Sequence, residues 1–163
     1  MSNSLVSPSD LQGFPGAPFS DDLVDAAAGG LRDECGWHIA PAETHTVKVR
    51  PVGCRLFLRT LRLVDVLSVV DRSGADVEVE DFDEDTGVVW LARAPQGRVT
   101  VNFKHGFELC PPALMGAIAD RVQRAARSRV RQESAGSLSL SYGSSADSEL
   151  RDSVARYKLG TRP

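Results

Sequence analysis

The spacing of apolar residues changes along the chain, and each change predicts an element. Residues 1–19 have no period; Ser, Pro and Gly dominate. Ser9-Asp10-Leu11-Gln12 could start one helical turn, but Gly13, Pro15, Gly16 and Pro18 break it. This stretch is expected to be a flexible N-terminal arm. From Ser20 the apolar residues Val24, Ala27, Ala28, Leu31 and Cys35 fall on one helical face. Ser20 reads as the N-cap, Asp21 and Asp22 suit the positive end of the helix dipole, and Gly36 reads as the stop. Gly29-Gly30 weakens the middle of this helix, each Gly costing up to about 1 kcal/mol relative to Ala.

From about residue 43 the period becomes two. Thr44, Thr46, Lys48 and Arg50 alternate with His45, Val47 and Val49. Further strand candidates are 55–58, 66–70, 77–79, 88–91 and 99–103. Turn-forming runs separate them, such as Asp71-Arg72-Ser73-Gly74 and Asp85-Thr86-Gly87. The expectation is an antiparallel meander of short strands. Pro111-Pro112 then opens the longest helix, with Leu114, Ile118, Val122, Ala126 and Val130 stepping by four along one face. Arg121, Arg124, Arg127 and Arg131 lie on another face, and the helix is expected to end near Glu133. In the Ser- and Gly-rich stretch 136–145, Leu138, Leu140 and Tyr142 alternate, which suits an extended segment that needs a partner to bury one side. A last short helix follows, with Ser145 as cap, Leu150, Val154 and Tyr157 as its apolar stripe, and Gly160 as its end. The order helix, strands, helix, extended segment, helix makes an α+β fold. The expected organisation is an arm over 1–19, a core over 20–133 and a C-terminal contact segment over 134–163.

With 163 residues the chain has the size of one ordinary domain. A formal net charge of -3 weighs against a protein whose main task is to grip DNA, which needs clustered cations. Three widely spaced cysteines, Cys35, Cys54 and Cys110, do not form a disulfide framework and read as reduced thiols. The first residues lack the basic start and apolar run of a secretory signal, and no stretch approaches the roughly 18 apolar residues of a membrane span. The protein is expected to be made and kept in a cytoplasm unless a particle carries it out.

Most candidate chemistry fails on spacing. Asp81-Phe82-Asp83-Glu84-Asp85-Thr86-Gly87 resembles the start of a calcium loop, but Gly87 falls one place late and Ala92 stands where the bidentate Glu belongs. A solvated acidic hairpin tip is the simpler reading. Cys35, His38, His45 and Cys54 offer zinc-type ligands, yet only Cys35 and His38 form a close pair. No cysteine sits in a motif with a dedicated base, and there is no phosphate-binding glycine loop or Ser elbow. The expectation is that the protein is not an enzyme. The arginine stripe is the one basic feature: it could contact DNA or an acidic partner, or it could be a solvated face pairing with Asp120 and Glu133.

Several short runs together resemble the head-to-tail adaptor (connector) proteins of long-tailed phages of actinobacteria. They are Phe14-Pro15-Gly16-Ala17-Pro18-Phe19, then Cys35-Gly36-Trp37-His38-Ile39-Ala40-Pro41, the stretch 58–66, and His105-Gly106-Phe107-Glu108 followed by Cys110-Pro111. Arg131-Gln132-Glu133-Ser134, the 138–142 stretch and a final Arg156-Tyr157 complete the set, so the resemblance covers nearly the whole chain. Gly29-Gly30 departs from it, standing where such proteins have helix formers. The resemblance implies a small helical bundle (N-terminal helix, long central helix, short C-terminal helix) with an inserted β region. It also implies a dodecameric ring under the portal that extends the DNA channel and docks the next ring, the stopper, with no cofactor and no catalysis.

On this reading Gly36, Trp37, His38 and Pro41 fix a corner of the fold. From the residues alone, Trp37 is a core lid and His38 satisfies a backbone carbonyl. Leu138, Leu140, Tyr142, Leu150, Val154, Tyr157, Arg121, Arg124, Arg127 and Arg131 are the candidate contacts to the portal or a neighbouring subunit. Asp81, Asp83 and Asp85 are candidates for the channel wall, where acid lets packaged DNA pass without sticking. Two other readings stand beside this one: the neighbouring stopper ring, and a small DNA-binding module that uses the arginine-rich helix.

Overall fold

The computed structural model describes the backbone of residues 5–133 and 151–160, and the side chains of 5–127 and 151–160. By internal contacts the chain divides into two units: residues 1–36 with 110–160, and an inserted unit, Trp37–Leu109.

The first unit is helical. Helix α1, Asp21–Cys35, buries Val24, Ala28, Leu31 and Cys35, the face that the spacing picked out. Gly36 takes the left-handed conformation (φ 77°) and its N–H closes the helix on the Arg32 carbonyl, 2.8 Å. The helix runs through Gly29-Gly30 because its apolar face is packed against the long helix α2, Pro112–Glu133, and burial outweighs propensity. In α2, Leu114, Ile118 and Val122 are fully buried and Ala117 and Ala119 nearly so, while Ala126 is half-buried. The Val130 side chain lies outside the described residues.

Within the stretch expected as an arm, Leu5, Val6 and Leu11 are buried, and Pro8–Leu11 forms a 3₁₀ turn. Asp10 fastens that turn by accepting from the Ser7 N–H at 2.9 Å and the Ser7 hydroxyl at 2.6 Å. Further on, the Gln123 side-chain amide donates to the Pro15 carbonyl, 2.6 Å, and ties the Pro/Gly run to α2. The polar composition of 1–19 hides these three buried apolar residues. Residues 151–155 are helical, Val154 is buried, and the Leu159 N–H donates to the Cys35 carbonyl at 2.9 Å. Ser145 and Leu150, expected in that last helix, lie outside the described residues.

The inserted unit holds six strands: β1 Glu43–Val49, β2 Arg55–Phe57, β3 Leu63–Val70, β4 Val79–Phe82, β5 Val88–Leu91 and β6 Val99–His105. They form two three-stranded antiparallel sheets, β1-β6-β3 and β2-β5-β4. The expected meander is therefore corrected: only β4 and β5 pair as sequence neighbours. The reason is burial. β6 alternates strictly, with Val99, Val101 and Phe103 on the core side, so it gains most from a strand on each flank. A single core joins Leu56, Leu58, Leu63, Val69, Val77, Val89 and Leu91 to those β6 residues, so both sheets contribute to it. The fold is α+β, with helices and two small antiparallel sheets. Among the described residues no helix is long and apolar enough to cross a membrane.

Candidate functional site

Among the described residues, four groups of side chains concentrate the polar chemistry. The first is the corner that begins at Gly36. Trp37 is buried, its ring 6.2 Å from that of Phe107. His38 donates from Nε2 to the Pro41 carbonyl and sets Nδ1 3.3 Å from Glu43 Oε1. Ile39, fully buried, accepts from the Phe107 N–H at 2.7 Å. Gly106 lies beneath this corner with φ 103°, and an added Cβ would meet the Ile39 carbonyl oxygen at 3.2 Å and that of Pro41 at 3.3 Å. Backbone approach that close, at positive φ, admits only glycine. The Gly36–Pro41 run and the His105–Phe107 run, far apart in sequence, are thus two sides of one corner.

Next to it lies a histidine cluster. The His105 ring is 5.6 Å from His38, 5.9 Å from His45 and 4.9 Å from Phe103. It is 4% exposed, and neither ring nitrogen has a hydrogen-bond partner. Burial first, then the charges of His38 and His45, push its pKa down to about 4, with Glu43 opposing. Among the described residues no three His, Cys, Asp or Glu side chains converge so as to hold a metal ion. Of the residues weighed for zinc, Cys54 is exposed while Cys35 is buried in the helical unit. Burial pushes the Cys35 thiol up to about 11 and the Cys110 thiol to about 12, the reverse of an activated nucleophile.

The third group lies on the helical unit. Arg121 of α2 pairs with Glu34 of α1, and Lys158 reaches the other oxygen of Glu34 at 2.6 Å. Hydrogen bonds from Lys158 and Arg121 hold the Glu34 carboxyl below the usual carboxylate range. One turn on, Arg124 pairs with Asp120 at 2.8 Å, and Arg127 is exposed. Between these side chains runs a groove lined by Glu34, Asp120, Arg121, Arg124 and Arg151, with Ala117 and Val154 at its base. The candidate contacts thus divide. Arg121, Arg124 and Val154 are brought together, whereas Tyr157 is half-buried nearby in the chain. Leu138, Leu140, Tyr142, Leu150 and the Arg131 side chain lie outside the described residues. Glu34 and Lys158 escaped the sequence reading because nothing local marks an ion pair between residues so far apart in the chain.

A fourth feature is acidic. Seven of the ten residues from Asp76 to Asp85 are Asp or Glu. β4 is the outer strand of its sheet, and a bulge between Val79 and Asp81 turns both Glu80 and Asp81 outward. Beyond it, Asp83 accepts from the Asp85 and Thr86 N–H groups, both at 2.9 Å, and so builds the turn into β5. Arg62 stands against this turn, 2.8 Å from Glu84.

No family model and no curated protein matches the chain. Among solved structures, the neck of an empty GTA particle computed with C6 symmetry contains a chain of similar fold. The two share 14% sequence identity at a TM-score of 0.63, over 98% of this chain and 94% of that one, so the likeness is one of fold across nearly the whole length.

Proposed function

We propose that the protein is a structural subunit of a phage or phage-like particle: a head-to-tail adaptor that forms a ring below the portal, extends the DNA channel and docks the stopper. The observation that carries this reading is the end-to-end likeness of fold to a chain in a particle neck, a neck computed with C6 symmetry. The resemblance of the sequence to phage adaptors points the same way through different evidence, short runs such as Gly36–Pro41 and His105–Phe107. The partners are further copies of the chain, the portal and the stopper, with packaged DNA passing through unread; the location is the virion. A ring of identical chains uses two different patches on each subunit, related by a rotation that closes.

The protein acts without catalysis or cofactor on this reading. The raised thiols of Cys35 and Cys110 support that, being unsuited to attack. A DNA-binding module built on the arginine helix is disfavoured by the net charge of -3, since gripping phosphates needs cations in excess. The test is co-sedimentation of the purified chain with tailless, DNA-filled heads that carry the portal. Saturable binding at a fixed number of copies per portal is expected. Failure to bind heads, together with tight and salt-sensitive binding to free duplex, would sink the proposal.

A further inference from the structure

We propose that neighbouring copies in the ring meet through opposite charges: the acidic outer strand β4 of one copy, with its Asp83–Thr86 turn, seats in the arginine-lined groove of the next. This deepens the ring-forming reading above and rests on it.

The groove has the character of an anion seat. Three arginines line it, Arg121, Arg124 and Arg151, against two carboxylates, Glu34 and Asp120, which leaves one positive charge, and Lys158 adds a further cation bonded to Glu34. Arg124 and Arg151 are exposed along its rim. Arg121 is held in place by Glu34, so one guanidinium is already ordered before any partner arrives, which reduces the entropy lost on binding. Val154 and Ala117 give the groove an apolar base between the charged walls.

The acidic strand has the complementary character. Glu78, Glu80, Asp81, Glu84 and Asp85 are all exposed, and among the described residues Arg62 pairs with Glu84 and Asp85. A strand with this charge cannot add to a copy of itself, because like carboxylates would face each other across the new pair. It can lie only against a surface of opposite sign. The same chain carries one such surface on its helical unit. Two patches that repel their own kind and attract each other give a head-to-tail contact, the type from which a closed ring is made. If instead the strand lined the channel, charge reversal would leave assembly intact and alter only the passage of DNA.

Two charge-reversed full-length chains test this: R124E/R151E in the groove and E78K/E80K/D81K/E84K on the strand, where four lysines then outnumber the three acids left between residues 76 and 85. Each is first checked for an unchanged thermal unfolding curve, and the copies bound per portal-bearing head are then counted by sedimentation. Each variant alone is expected to bind at least about tenfold more weakly than the natural chain. An equimolar mixture is expected to recover full occupancy, because every contact in an alternating ring again joins opposite charges. A variant that binds heads like the natural chain would overturn the inference and leave the adaptor reading standing. So would weak binding of both variants without recovery on mixing, which would assign the groove to the portal or another protein. A natural chain that does not bind heads at all would overturn both readings.

Discussion

His105 ends the central strand β6 with its ring among His38, His45 and Phe103 and with no partner for either nitrogen. A proton added there would sit in a site that offers it no acceptor. Its folded pKa, about 4, lies below the ordinary 6.5, so the unfolded chain takes up the proton first as the solution is acidified. The neutral ring therefore contributes stability that is complete above about pH 6.5 and is lost as the pH falls toward 4. Allowing for screening by solvent, the loss is on the order of 2 kcal/mol. His105→Leu removes this term. Urea unfolding at pH 7 and pH 4.5, followed by tryptophan fluorescence, is expected to show a smaller drop in the variant than in the natural protein. An equal drop in both would assign the acid sensitivity elsewhere.

At the scale of elements, propensity and packing disagree in α1, and the disagreement can be measured. Gly29 has nothing within 4 Å of where a Cβ would stand, and its backbone is helical. Gly29→Ala should therefore raise stability by roughly 0.5–1 kcal/mol, read as a higher melting temperature. The last helical turn offers a second test. Glu34 is the acceptor for both Arg121 and Lys158, and Lys158 lies next to Leu159, whose N–H is bonded to the Cys35 carbonyl. In Glu34→Gln the two ion pairs are lost. These groups are more than a third exposed, so the cost is about 1 kcal/mol at most, enough to speed hydrogen exchange at the Leu159 amide by roughly fivefold. Unchanged exchange there would show that Val154 alone holds the segment.

The elements differ in how far the sequence announced them. Helix α1 was legible to the residue, because a cap, a face and a stop agree from Ser20 to Gly36. Strands β1 and β6 were legible from their period and β2 and β5 from short apolar runs between turns, while β4 was displaced toward the acidic turn because a bulge breaks its alternation. The pairing of strands was not legible. β1 meets β6 across most of the inserted unit, and such long-range pairing follows from which faces can be buried together. The burial of Leu5, Val6 and Leu11 was hidden too, since three apolar residues without a period predict no element.

For the whole molecule, the question is whether the C-terminal region serves the fold or the assembly. Removing everything after Ser134 would confound the two. Val154 is 4% exposed within its own chain, so such a chain would lose packing as well as any partner contact. Point substitutions separate them. Val154→Ala deletes buried methyl groups and is expected to cost roughly 1–3 kcal/mol of stability, with head binding falling only as far as the folded population falls. Leu138, Leu140 and Tyr142 alternate in a polar stretch, the pattern of a segment that can add to another chain's sheet edge. The triple change Leu138→Ser, Leu140→Ser and Tyr142→Ser is expected to leave the unfolding curve within about 0.5 kcal/mol of the natural protein while head binding is lost. Measured side by side, calorimetry and sedimentation then distinguish the cases. A triple variant that is destabilised as much as Val154→Ala would make 138–142 part of the fold. One that is stable and binds heads normally would remove this segment from the interface and leave the charged groove and strand as the contacts to pursue.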